Sequence, residues 1–97
     1  MPPLTLRSVA RAEIDEAYDW YEKRRPGLGE EFLAELRRVL ASVEETSRLY
    51  PVIRKDIRRA LLRRFPYSIL YIAEPEATVV LACFHGSRDP RRWHHRR

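Results

Sequence analysis

The hydrophobic period of the chain changes about halfway along, and that change restricts the fold more than any other feature. Up to about residue 46, apolar residues recur at spacings of three and four; from Ile57 to His85 they alternate or run on without a break. The first spacing gathers side chains onto one stripe of a helix, and the second onto the faces of a strand. Helices followed by a sheet are therefore expected. With 97 residues there is room for one domain, taken here as 1–97 with a basic tail over about 86–97.

The elements follow from the pattern. Leu4 and Leu6, with Val9 in extension, alternate with Thr5 and Arg7 as an opening strand. Ser8 is placed to cap a helix that runs to about Arg25, with Ala10, Ile14, Ala17, Tyr18 and Tyr21 as its apolar stripe. Pro26-Gly27 ends it, and a second helix over about 29–46 buries Phe32, Leu36, Val39, Leu40 and Val43. So short a break predicts an antiparallel helical hairpin. Residues 47–56 read as a loop around Tyr50-Pro51, and 57–64, 65–73 and 77–85 read as three strands. Glu74-Pro75-Glu76 joins the last two as antiparallel neighbours, and the third, apolar on both faces, is expected at the centre. In the second, Phe65, Tyr67, Ile69 and Tyr71 face one way and Pro66, Ser68, Leu70 and Ile72 the other, leaving one face open to a partner. The expected fold is α+β: a small antiparallel sheet of about four strands packed on an N-terminal two-helix hairpin, in the order β-α-α-β-β-β.

Hydrophobic residues make up 44% of the chain and charged residues 34%, a balance that suits a soluble globular domain. No apolar run approaches the roughly 20 residues that cross a bilayer, and Met1–Arg7 lacks the apolar centre of a signal peptide, so a cytoplasmic protein with no membrane partner is expected. Cys83 is the only cysteine, which excludes an intrachain disulfide and a multi-thiolate zinc site. Cys83, His85, His94 and His95 do not have the spacing of metal ligands, and no glycine-rich phosphate loop is present, so neither a metal nor a cofactor is implied. Charge is split: residues 1–47 carry seven Lys and Arg against ten Asp and Glu, and residues 48–97 carry twelve against four. A basic half of this kind fits either an acidic partner, nucleic acid or protein, or a solvated face that maintains solubility.

Four strings, in this order and over nearly the whole chain, resemble the RelE/ParE toxins of type II toxin-antitoxin systems, and the ParE side more than the RelE side. They are Ala12-Glu13-Ile14-Asp15-Glu16-Ala17-Tyr18-Asp19-Trp20-Tyr21, Arg48-Leu49-Tyr50-Pro51, Phe65-Pro66-Tyr67-Ser68-Ile69-Leu70-Tyr71, and His85-Gly86-Ser87-Arg88-Asp89-Pro90-Arg91-Arg92-Trp93. The resemblance implies a plasmid-stabilisation type of toxin held by a cognate antitoxin in a hetero-oligomer, with DNA gyrase as target on the ParE side. On the RelE side it implies metal-independent cleavage of mRNA on the ribosome. A degenerate member that has lost toxicity is the third reading. The RelE pattern places a phosphate-binding arginine where Ser68 stands here and a C-terminal tyrosine where Trp93 stands, and an indole N–H cannot exchange a proton as a phenol does.

Candidate residues follow. If the chain is a ribonuclease, Arg63, Arg64, His85 and Arg88 are the catalytic candidates, His85 suiting either a general base or a hydrogen-bonded structural role. Arg58, Arg63, Tyr71, Arg88, Arg91, Arg92 and Trp93 are the candidates for contact with target or antitoxin. The last four lie in a polar segment with little to pack against, so a chain cut after Asp89 is expected to fold. Tyr18, Trp20 and Tyr21 read as packing and rim residues of the hairpin.

Overall fold

The computed structural model describes residues 3–96; Met1, Pro2 and Arg97, at the limits of the expected domain and tail, lie outside the described residues. The elements in chain order are β1 (Leu4–Leu6), α1 (Ser8–Arg24), α2 (Leu28–Glu45), β2 (Val52–Arg54), β3 (Ile57–Leu61), β4 (Tyr67–Ala73), β5 (Thr78–His85) and the single turn α3 (Arg91–His94). The strands form one five-stranded sheet in the order β1-β5-β4-β3-β2, antiparallel except for β1, which runs parallel to β5. No helix of the described residues is long and apolar enough to cross a membrane.

The hairpin forms as its spacing predicts, with Ala10, Ile14, Ala17 and Tyr21 buried on α1 and Phe32, Leu36 and Val43 on α2. Gly27 makes the turn at φ 91°, a left-handed conformation that side-chain-bearing residues resist. At Gly29 the helices approach so closely that an added Cβ would lie 2.8 Å from the Tyr18 ring and 2.9 Å from the Glu22 carboxylate. That carboxylate accepts the N–H groups of Gly27 and Gly29, both at 2.9 Å, so α1 supplies the acceptor that the start of α2 lacks. Rings of Tyr21, Phe32, Phe65 and Tyr67 then pack edge-to-face or tilted, with centroids 4.8 to 6.2 Å apart, and fix the hairpin on one end of the sheet.

Four expectations need correction. Ser8 is the first residue of α1 and not its cap; Arg7 is the N-cap, with no side-chain capping bond. Val9 belongs to that helix and is exposed. The segment 47–56 contains a strand, because Val52–Arg54 folds back on β3 through a turn at Lys55-Asp56, with Lys55 at φ 53°. β5 is interior but not central, since β1 flanks it on one side and β4 takes the middle of the sheet.

The alternation in β4 holds: Tyr67, Ile69 and Tyr71 pack beneath the hairpin, while Leu70 and Ile72 join Ile57, Leu81 and Phe84 on the far face. Between Leu70↔Ala82 and Tyr71↔Val80 the register shifts, so Leu81 is the extra residue of a bulge in β5. Leu81 and Ala82 consequently both belong to the far-face cluster, while Val80 and Cys83 belong to the hairpin side.

Glu35 is the charged residue buried among these layers, at 3% exposure. Its carboxylate accepts the backbone N–H groups of Arg63 and Arg64 in the loop between β3 and β4. Leaving those donors without an acceptor costs about 1–3 kcal/mol each. Glu35→Ala is expected to lower unfolding free energy by about 2–4 kcal/mol in urea titration, and Glu35→Gln, which keeps one carbonyl acceptor, by about half as much.

Candidate functional site

A groove of about 450 Å³ opens between α1 and the ends of β4 and β5. α1 lends Glu13, Glu16 and Trp20, the strands lend Tyr67, Cys83, Phe84 and His85, and the turn after β5 lends Ser87 and Arg88. Trp20 is 52% exposed, with the Arg24 guanidinium 4.0 Å from its ring centroid, so it offers the groove an aromatic rim and not a packing residue.

His85 has a fixed proton arrangement. The Ser87 N–H donates to His85 Nδ1 at 3.0 Å, and Ser87 Oγ lies 2.8 Å from the same nitrogen. A backbone N–H can only donate, so Nδ1 is an acceptor and the neutral ring carries its proton on Nε2. The ring also stands edge-on to Tyr67, with centroids 5.0 Å apart. His85 therefore presents a donor, not a free lone pair, at Nε2.

Glu13 connects three parts of the chain. Its Oε1 accepts the Cys83 N–H at 3.0 Å, and both oxygens accept from the Arg96 guanidinium at 2.9 and 3.0 Å, an ion pair with side chains only 12% and 15% exposed. Arg96 also donates to the Leu81 carbonyl at 3.2 Å, and its own carbonyl accepts from the Arg7 side chain. The buried Cys83 thiol beside Glu13 is pushed up to about 12, by burial first and by the glutamate charge second.

Of the expected catalytic residues, His85 and Arg88 line the groove; Arg63 and Arg64 do not. They sit at the same end of the sheet, where the Gly86 N–H donates to the Pro66 carbonyl at 2.8 Å, but Arg64 turns away to Glu31 at 2.7 Å. Arg58 donates to the carbonyls of Arg48 at 3.0 Å and Tyr50 at 2.6 Å, and the hydroxyl of the buried Tyr71 donates to the Ser47 carbonyl. Both side chains thereby hold the loop ahead of β2, and burial pushes Tyr71 up to about 12. Arg91 is paired with Asp89 through two nitrogens at 2.9 and 2.6 Å, which holds the Asp89 carboxyl below its usual range. Arg88 and Arg92 are exposed and have no ion-pair partner among the described residues.

A family model described as "ParE toxin of type II toxin-antitoxin system, parDE" matches residues 4–90. The chain belongs to the ParE toxin family. No curated protein matches it. A solved chain titled "Chromosomal ParDE TA system from P. aeruginosa" is similar at 20% identity and TM-score 0.67, covering 88% of this chain and 96% of that one. At that identity the likeness concerns the fold.

In this ParE-family chain the segment after β5 is not the loosely packed tail that its composition suggests. Trp93 is 6% exposed and closes the far face of the sheet against Phe84, with ring centroids 6.2 Å apart. Ser68, which faces the same side, pairs directly with Phe84 across β4 and β5, so the two positions that depart from the RelE pattern meet around one ring. Sequence reasoning overlooked Glu13 and Glu35, although a signal exists. Each lies on the apolar stripe of its helix, Glu13 between Ala10 and Ala17 and Glu35 between Phe32 and Val39, where a carboxylate needs a buried donor.

Two outcomes follow for this ParE-family chain. A chain ending at Asp89 is expected to be unstable, and Trp93→Ala to cost about 3–5 kcal/mol in chemical unfolding, the usual range for removing a buried tryptophan. Cys83 and Tyr71 both ionise later in the folded chain, so their stabilisation is whole below the ordinary thiol value of 9.0 and is lost as pH rises toward about 12. The thermal midpoint is therefore expected to fall over that window, and less steeply in Cys83→Ala; iodoacetamide at pH 8 should label Cys83 only after unfolding.

Proposed function

We propose that this toxin acts by inhibiting DNA gyrase, a protein target, and that a segment of a cognate antitoxin neutralises it by seating in the groove between α1 and the sheet. The observation that carries the reading is the hydrogen bonding of His85. Cleavage of RNA through its 2′-hydroxyl needs a base to accept that proton and cations to meet the charge that develops on phosphorus. Here the imidazole acceptor nitrogen is occupied by Ser87, and Trp93 is buried without a phenol to offer. Glu16 on the same wall opposes a phosphate, Glu13 is paired with Arg96, and Arg88 is a single exposed cation.

The groove suits a peptide better. Trp20 and Tyr67 provide apolar surface, Arg88 and the Nε2–H of His85 can receive an acidic side chain, and Glu16 can receive a basic one. A disordered antitoxin segment would gain its ordering cost from burial against Trp20 and from these charge pairs.

Purified chain incubated with gyrase and relaxed plasmid is expected to block supercoiling and accumulate cleaved DNA. Programmed ribosomes probed by primer extension should show no cut at the A-site codon. Cleavage at that codon with gyrase activity intact would overturn the reading. Trp20→Ala is expected to weaken binding of the antitoxin segment by about 30-fold in titration calorimetry, in line with aromatic hot spots.

A further inference from the structure

A second surface, away from the groove, carries charge of one sign. Arg54 pairs with Ile57 and Arg59 with Leu70, and those partners belong to the far face of the sheet. α3 lies on that face through Trp93 and brings Arg91, Arg92 and His94 to it. His94 senses the strand charges directly: burial, then Arg54, with Arg91 in addition, lower its pKa, and Asp89 acts in the opposite direction. Arg91 is committed to Asp89, but Arg54, Arg59 and Arg92 are exposed and have no carboxylate within ion-pair distance among the described residues. Lys55 extends the patch at the β2–β3 turn, where Asp56 is its acidic neighbour.

We propose that this face binds the phosphate backbone of duplex DNA without reading bases. Arginines spread over two strands and a helical turn can each meet a different phosphate, and each contact releases counterions from the duplex. Single-stranded nucleic acid is recognised with aromatic platforms, yet the aromatic rings of this face, Phe84 and Trp93, are buried against each other, and the exposed Trp20 belongs to the groove on α1. An acidic protein segment ordinarily adds apolar contacts to its charge pairs, and here Trp93 packs over the apolar cluster of the face, which leaves Leu61, opposite Ser68 at the end of β3, as a single large exposed apolar side chain on it among the described residues. Apart from Leu61, the exposed side chains named on this face are charged, the feature that a regular polyanion fits. The proposal is separate from the gyrase reading, because it involves only DNA and this chain, so failure of one leaves the other standing.

The test is fluorescence anisotropy of the full chain with labelled duplexes of about 20 base pairs in two unrelated sequences, from about 50 to about 200 mM salt. Both duplexes are expected to bind alike, with a slope of log affinity against log salt of about −3 for three unpaired arginines. Arg54→Ala, Arg59→Ala and Arg92→Ala combined should weaken binding at least tenfold. The same three positions changed to Lys should keep most of it, which separates charge from folding. Arg37→Ala with Arg38→Ala, on the exposed side of α2, should leave it unchanged. Absence of binding at the lowest salt would overturn the proposal. So would an equal loss in the α2 variant, tighter binding of a single strand of the same length, or displacement of the duplex by a Glu-rich peptide at equal charge concentration.

Discussion

Glutamates of the helical hairpin reach across to backbone N–H groups on the sheet side, and the assembly of the two layers depends on them. Glu13 accepts from Cys83 beside the bulge in β5, Glu35 from Arg63 and Arg64 in the loop before β4, and Glu44 from Leu4 at the start of β1. Apolar packing between a hairpin and a sheet is tolerant of sliding, whereas a carboxylate set on one amide is not. The three contacts are distributed over β1, β5 and the β3–β4 loop, so they fix the hairpin in position and in rotation. Glu13 does more, since its second oxygen and its share of the first hold Arg96 and thereby the seat of Trp93.

The uneven charge along the chain acquires a partly internal meaning in this light. The acidic half supplies the acceptors, and the basic half supplies some of the donors: Arg96 to Glu13 and Arg64 to Glu31, where Arg25, from the acidic half itself, also pairs. Net charge read from the sequence treats all of these as free. The structure separates the cations used in folding, such as Arg58 and Arg96, from the exposed ones at Arg54, Arg59, Arg88 and Arg92.

What was legible in the sequence was what is local. The stripes of α1 and α2, the Pro26-Gly27 break, the alternation of β4 and the double-sided burial of β5 all arise within a few residues, and each appears where its spacing places it. β2 escaped because three residues with two exposed side chains carry no period, and only its pairing with β3 makes it a strand. α3 escaped for a different reason. Its four residues are polar except Trp93, and the surface that buries Trp93 is assembled from β5 and the strands beside it. His85 was legible as a residue of interest, but its role depends on a hydrogen bond two residues further on, in a turn whose geometry no periodicity describes.

The parallel pairing of β1 with β5 sets the order in which the chain can complete itself. Leu4 sits opposite Thr78, so β1 has no sheet partner until β5, more than seventy residues further on, has been made. The hairpin and the β3–β4 pair are made of nearer contacts and can form earlier, while closure of the β1 edge carries the largest loop entropy. Until β5 arrives, Leu4 and Leu6 lack their sheet neighbour and the inner stripe of α1 is covered only by α2. A nascent chain of this kind stays incomplete, with apolar surface showing, until β5 has been made. In a cell that period is an opportunity for any factor that recognises the unfinished hairpin before the toxin has closed.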